Sequence, residues 1–186
     1  MTVLDTIKAR RSISRMKPDS VPKDVIERML EAAVWAPNHR ATEPWRFYVL
    51  QGEGKKQFAE IRRRVRAATF PNPDAPEAQK ALEKLYGDTM ATPAIIAVTT
   101  HVSEDEERRR EDFAATFMAA QNLMLVGWEE GVGSYLRSGA VLHAPELRDF
   151  LKLEPDREVL GMIYVGYPSD VPQKKRTPAA DRTVWL

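Results

Sequence analysis

The sequence predicts one domain of interleaved helices and strands, a mixed α/β or α+β layer fold and not a doubly wound parallel sheet. Three observations carry this. The chain has 186 residues, the size of a single domain with a substantial core. Short apolar and β-branched runs alternate with longer stretches of helical period. The longest helical stretch falls in mid-chain and breaks a strict strand–helix–strand rhythm.

The elements follow in order. Val3, Leu4 and Ile7 have helical spacing, so residues 3–10 form a helix, and Pro18 stops any continuation. Pro22 suits the first position of a second helix, with Val25, Ile26, Met29, Leu30 and Ala33 on one face and Pro37 closing it. Trp45 to Leu50 is aromatic and β-branched, a strand. Gly52 and Gly54 punctuate its exit, and residues 55–69 are helical. The proline-rich run at 71–76 is an exposed, mobile loop, and a short helix follows at about 77–87. Pro93 introduces a buried strand over Ala94 to Thr99. Ser103 and Glu106 have capping-box spacing and open a long helix to about Glu130. Ser134 to Arg137 and Val159 to Val165 are strands, with a short helix at 145–153 between them. The tail from Pro168 is extended.

The second half of the long helix is apolar nearly all round: Phe113, Phe117, Met118, Leu123, Met124, Leu125, Val126 and Trp128. A helix without a polar stripe must be enclosed on every side. A subunit interface would supply that enclosure; burial within one domain is the alternative.

Composition excludes several classes of function. With 28 basic and 27 acidic residues the formal net charge is +1, which argues against wholesale coating of nucleic acid. The Arg62–Arg66 and Arg108–Arg110 runs read as solvated helix faces, and Glu104 to Glu107, Glu111 and Asp112 flank the second. There is no cysteine, so disulfides, thiolate metal sites and a cysteine nucleophile are ruled out. No two of the three histidines have helical metal-ligand spacing. His101 and His143 read as loop or cap residues. Gly52-Glu-Gly54-Lys-Lys-Gln57 lacks the third glycine of a dinucleotide loop and reads as a tight turn. No Gly-x-Ser-x-Gly elbow is present. The N-terminus lacks an apolar signal region, and no run reaches the roughly 20 residues of a spanning helix, so a cytoplasmic protein without a membrane partner is expected.

Two segments suggest chemistry. Arg10-Arg11-Ser12-Ile13-Ser14-Arg15 sets three guanidiniums and two hydroxyls just after a helix. Such a cluster can hold a phosphoryl group, or it can be a basic helix end favoured by the macrodipole. Ala36 to Phe47 is a polar loop between two prolines that runs into an aromatic strand, the kind of rigidly mounted loop that binds ligands.

Together these segments resemble the flavin-dependent nitroreductase family, in particular its small members. The matching pieces are Arg10-Arg11-Ser12, Glu31-Ala-Ala-x-x-Ala-Pro-Asn into Pro44-Trp45-Arg46-Phe47, Gly131-x-Gly133 into Leu136-Arg137-Ser138-Gly139, and Gly161-x-x-x-x-Gly166, in the family's order over nearly the whole chain. The resemblance implies a single α+β domain over residues 1–186, a mixed sheet flanked by helices, and a long buried central helix at a homodimer interface. It implies FMN held between two subunits, with NADH or NADPH as reductant. By the same resemblance, Arg10, Arg11 and Ser12 hold the flavin phosphate, ribityl chain and ring edge. Trp35 and His39 approach from the other subunit, Leu136, Arg137 and Ser138 line the flavin, and Lys174 and Arg176 close on the phosphate. No residue is assigned as a catalytic acid or base.

The expected activity is hydride transfer from NAD(P)H through flavin N5 to a small acceptor such as a nitroaromatic or quinone, by a ping-pong mechanism. Use of oxygen or halogenated aromatics on the same scaffold, or a non-catalytic FMN-binding protein, are the alternatives. Ser14 departs from the family: many larger members carry a lysine there, beside the N1–C2 carbonyl of the flavin. Arg15 or Arg10 is available in its place.

Overall fold

The computed structural model describes residues 2–186. Six helices, α1 (Val3–Ala9), α2 (Lys23–Val34), α3 (Gly52–Ala67), α4 (Pro76–Met90), α5 (Glu106–Glu129) and α6 (Pro145–Leu151), surround four strands. The strands are β1 (Trp45–Leu50), β2 (Ala94–His101), β3 (Gly133–Arg137) and β4 (Arg157–Gly166). Their order is β1-β2-β4-β3, and every neighbouring pair is antiparallel. The parallel component of the expected mixed sheet is confined to one bridge, between Ser12 and Ser134.

Side-chain alternation explains the layers. On β2, Ala94, Ile96 and Val98 face a core shared with α2 and α5, while Ile95 and Ala97 face one shared with α3 and α6. On β4, Ile163 and Val165 take the first face, and Met162 and Tyr164 the second. Helices cover both faces, so the central strands are continuous apolar runs instead of alternating ones.

The elements form where periodicity places them, with differences at their ends. Pro22 is the N-cap of α2, not its first turn; its backbone is extended and its carbonyl accepts from the Ile26 amide at 3.2 Å. Helix α3 starts at Gly52, earlier than 55, because Gly52 makes the turn itself with φ +49°. Helix α4 outruns its expected 77–87, starting at Pro76, a proline suited to a first turn, and ending at Met90. The cap of α5 is Asp105, whose side chain accepts from the Arg108 amide at 2.8 Å. Ser103 sits outside the helix and accepts from the Asp105 amide, so the Ser103–Glu106 capping box does not form. The extended tail is interrupted by a 3₁₀ turn at Ala179–Arg182.

Helix α5 is enclosed on one side only by its own chain. Ala115, Ala119, Leu123 and Met124 are buried, but Phe113, Phe117 and Met118 are 36%, 38% and 41% exposed. One chain covers one face of α5 and leaves an apolar face open.

The segment after α1 is fixed against the sheet. The Ile13 amide donates to the Ser134 carbonyl at 2.9 Å, the Lys17 amide to Tyr167 at 2.8 Å, and the Ser169 amide to Arg15 at 3.1 Å. Ile13 is fully buried over Gly133, where an added Cβ would lie 2.5 Å from Ile13 Cγ1 and 2.9 Å from its Cβ. We expect Gly133→Ala to destabilise the fold by about 1–3 kcal/mol, as overpacking does. Urea unfolding measures it. An unchanged midpoint would show that the segment moves aside freely.

Candidate functional site

Site geometry begins where α1 ends. The Arg10 amide donates to the Thr6 carbonyl at 2.9 Å, and the backbone then turns extended toward β3. Arg11 spends one guanidinium nitrogen on the helix end, donating to the carbonyls of Lys8, Ala9 and Arg10. The basic-helix-end reading is therefore part of the truth for Arg11. It does not account for Arg10, whose side chain makes no ion pair among the described residues. Burial first, then the positive charges of Arg176 and Arg11, holds the Arg10 guanidinium below its ordinary pKa. Three cations thus gather beside β3 at mutual electrostatic cost.

The same edge collects unpaired donors. Five buried side-chain polar atoms lack a hydrogen-bond partner among the described residues, and four are Arg10 Nε, Arg11 Nε, Arg137 Nε and Ser134 Oγ. All four lie on β3 or on the segment running to it. Ser134 and Arg137 point to opposite faces of β3, and buried polar groups without a protein partner take a water, an ion or a ligand. The donors match an anion and a polar ring: guanidiniums for a phosphate, hydroxyls and amides for ring and chain oxygens.

The remaining expected residues fall into groups. Ser12 is brought to Ser134 by the parallel bridge. The half-buried Leu136 side chain packs against the α2/α5 core. The Arg137 guanidinium stacks between the rings of Tyr135 and Tyr164 at 4.7 and 4.6 Å. Ser138 is exposed and lines a cavity of about 190 Å³ with Arg62 and Arg66. Ser14 and Arg15 line another of about 440 Å³ with Arg137, Lys84 and Asp88. Lys174 is exposed on the tail, and Arg176 is the tail residue whose charge Arg10 feels.

Trp35 and His39 stand apart. Trp35 is 78% exposed; its indole N–H donates to Glu31 at 3.1 Å, and it lines an apolar groove with Val3, Asn122 and Leu125. His39 Nδ1 lies 2.7 Å from a Glu111 carboxylate oxygen. No hydrogen bond or ion pair joins either residue to the Arg10–Ser134 cluster among the described residues.

The loop carrying His39 is strained. Arg40, Ala41 and Glu43 all have positive φ, a conformation costing a non-glycine residue about 1–2 kcal/mol. Anchors offset this cost. The Thr42 hydroxyl donates to Asp112 Oδ1 at 2.7 Å, the Glu43 amide to Asn38 at 3.0 Å, and the Pro44 carbonyl accepts from the His101 amide and Arg157. Asp112 is buried, and its Oδ2, 3.6 Å from His101 Nδ1, is the fifth unpartnered atom. Strain held this firmly accompanies functional loops.

Sequence reasoning missed Ser134, Asp112 and Arg62. A serine in an otherwise apolar strand was a readable signal for Ser134. Thr42 and Asp112 are 70 positions apart, and no local pattern links them. No helix of the described residues is long and apolar enough to cross a membrane, and no cluster of His, Asp and Glu among them is placed for a metal.

Comparison with known proteins places the chain in a family. The model of the nitroreductase family matches residues 7–167. YfhC of Bacillus subtilis strain 168, named as a candidate NAD(P)H nitroreductase, is 38% identical over 181 residues, covering 96% of this chain and 91% of that one. A nitroreductase-like family protein from Bacillus cereus superposes with a TM-score of 0.87 at 30% identity, over 100% of this chain and 96% of that one. The fold also matches NfnB of Mycobacterium smegmatis, described as FMN-dependent and solved with NADPH, at a TM-score of 0.74 and 21% identity, over 99% and 98% of the two chains. The α+β chain described here belongs to the nitroreductase family.

Proposed function

We propose that the chain is an FMN-dependent oxidoreductase that works as a homodimer, taking reducing equivalents from NADH or NADPH and delivering them to a small acceptor such as a nitroaromatic or quinone. The observation carrying this reading is the set of buried, unpartnered side-chain donors on Arg10, Arg11, Ser134 and Arg137, with the positive charges of Arg11 and Arg176 bearing on Arg10. The NAD(P)H nitroreductase name of YfhC, and NfnB as an FMN-dependent nitroreductase solved with NADPH, support it.

In this reading Arg10, Arg11 and Arg176 hold the FMN phosphate, with Lys174 closing from the tail. Two or more guanidiniums neutralise a buried dianion that would otherwise be costly. Ser12 and Ser134 face the ribityl chain and ring edge, and the Leu136–Ser138 backbone lines the ring. Bound FMN supplies the two-electron redox chemistry, while the protein supplies position and electrostatics. Arg15, adjacent to Ser14 in the chain, takes over from the lysine missing there.

The partner completes the site. The open face of α5 with Phe113, Phe117 and Met118 is apolar enough to seat a second copy. That copy brings its own Trp35 and strained His39 loop to the flavin, which explains why these residues are separate from the cluster within one chain. Reductant and acceptor then occupy the same face of the flavin in turn.

Two tests follow. Arg10→Ala should weaken FMN binding at least about tenfold while leaving the flavin-free unfolding midpoint unchanged or higher, since it removes a half-buried repelled charge. Ser134→Ala should weaken FMN about fivefold to tenfold, one hydrogen bond's worth, without destabilising the flavin-free protein, because the lost hydroxyl has no partner to abandon. Full flavin affinity in both variants would overturn the assignment. For the catalytic cycle, initial rates at several acceptor concentrations should give parallel double-reciprocal plots; intersecting lines would show that both substrates must be bound together.

A further inference from the structure

The basic run on α3 is not uniformly a solvated face. Arg63 pairs with Glu60 at 2.9 Å, but Arg62 and Arg66 make no ion pair among the described residues. Arg62 donates to the Thr89 hydroxyl at 2.7 Å and lies 5.8 Å from the centre of the Tyr164 ring. Arg137 stacks on that same ring. Burial keeps the Tyr164 phenol neutral by pushing its pKa up. Burial, with the charge of Arg137 adding, pulls the Arg62 guanidinium below its ordinary value. Asp88, the acid whose charge reaches Arg62, is held by Lys84 at 2.7 Å.

Two guanidiniums therefore share one neutral ring without a counter-ion of their own. Half-buried cations in that condition are costly until an anion reaches them. Next to them is the cavity of about 190 Å³. Arg62, Arg66, Thr69 and Ser138 are its polar lining residues and Val65 and Leu85 its apolar ones, with the Arg66 guanidinium donating to the Thr69 hydroxyl at 3.2 Å and lying 4.8 Å from the Phe70 ring. A dry space of about 150 Å³ already admits a benzene ring. Fork-shaped donors on one side and aliphatic walls on the other fit an aromatic carboxylate better than a bare phosphate. Ser138 opens this cavity toward the flavin position, a placement that rests on the function proposed above.

We propose that the Arg62–Arg66 cavity is an anion subsite that seats the carboxylate of the acceptor, making the enzyme selective for acidic over neutral aromatic acceptors.

The test compares 4-nitrobenzoate with 4-nitrobenzamide on the oxidised holoenzyme, by calorimetric binding and by kcat/KM with NADH and NADPH. The expected result is at least about tenfold tighter binding of the acid, shrinking with added salt. Arg62→Gln should bring the acid-to-amide ratio near one, and Arg62→Lys should keep only part of the preference because it keeps charge without the fork. Arg66→Gln, at an exposed position, should reduce the ratio several-fold and serves if Arg62→Gln does not fold. Equal binding of acid and amide to the native enzyme would overturn the proposal. So would a preserved preference in both glutamine variants. Loss of FMN from Arg62→Gln with the acid preference intact would assign Arg62 to the cofactor phosphate and also overturn it. Tight, salt-sensitive acid binding with no NAD(P)H-dependent reduction of either compound would show an anion site that does not serve the acceptor and overturn the proposal, while NAD(P)H oxidation with a quinone in the same sample would leave the oxidoreductase reading standing.

Discussion

The functional geometry depends on the docking of residues 12–17 between β3 and the chain leaving β4. That docking is a backbone contact, with amides of Ile13, Lys17 and Ser169 bonded across it. It exists because Gly133 leaves room for Ile13. Once Ile13 is buried, Arg10 and Arg11 have nowhere to go but the β3 edge. There Arg10 meets the charge of Arg176, Arg11 turns back to the carbonyls ending α1, and no carboxylate among the described residues pairs with either. Folding energy from one apolar contact is thereby used to assemble like charges, a state that only an anionic ligand relieves.

A second theme is surface that one chain does not finish. The open face of α5, the exposed Trp35, and a tail ending in exposed Val184, Trp185 and Leu186 are all apolar. The strained His39 loop is held by Thr42, Asn38 and the backbone around Pro44, anchors that fix it facing outward. A rigid, outward, strained loop beside uncovered apolar surface makes sense in a site shared between two copies, where each supplies what the other lacks.

Much of this was legible in the residues. Strand positions follow from continuous apolar runs, because β2 and β4 are buried on both faces, and α2 follows from its helical period. The Arg10–Ser12 cluster was visible because its members are contiguous and follow a helix. The cap of α5 was misread because Ser103–Glu106 and Asp105–Arg108 have the same spacing, and only the path of the chain decides between them. Composition shows that α5 needs cover on every side, and its own chain supplies that cover on one face. Ser134, Asp112 and Arg62 stayed hidden because their roles come from contacts between distant elements.

The most direct test measures flavin content and particle mass on the same freshly purified sample, by denaturing release of the chromophore and by light scattering. The account predicts one FMN per chain in a particle of two chains. A colourless protein that refuses added FMN would contradict it, and the arginines at the β3 edge would then need another anion to explain them.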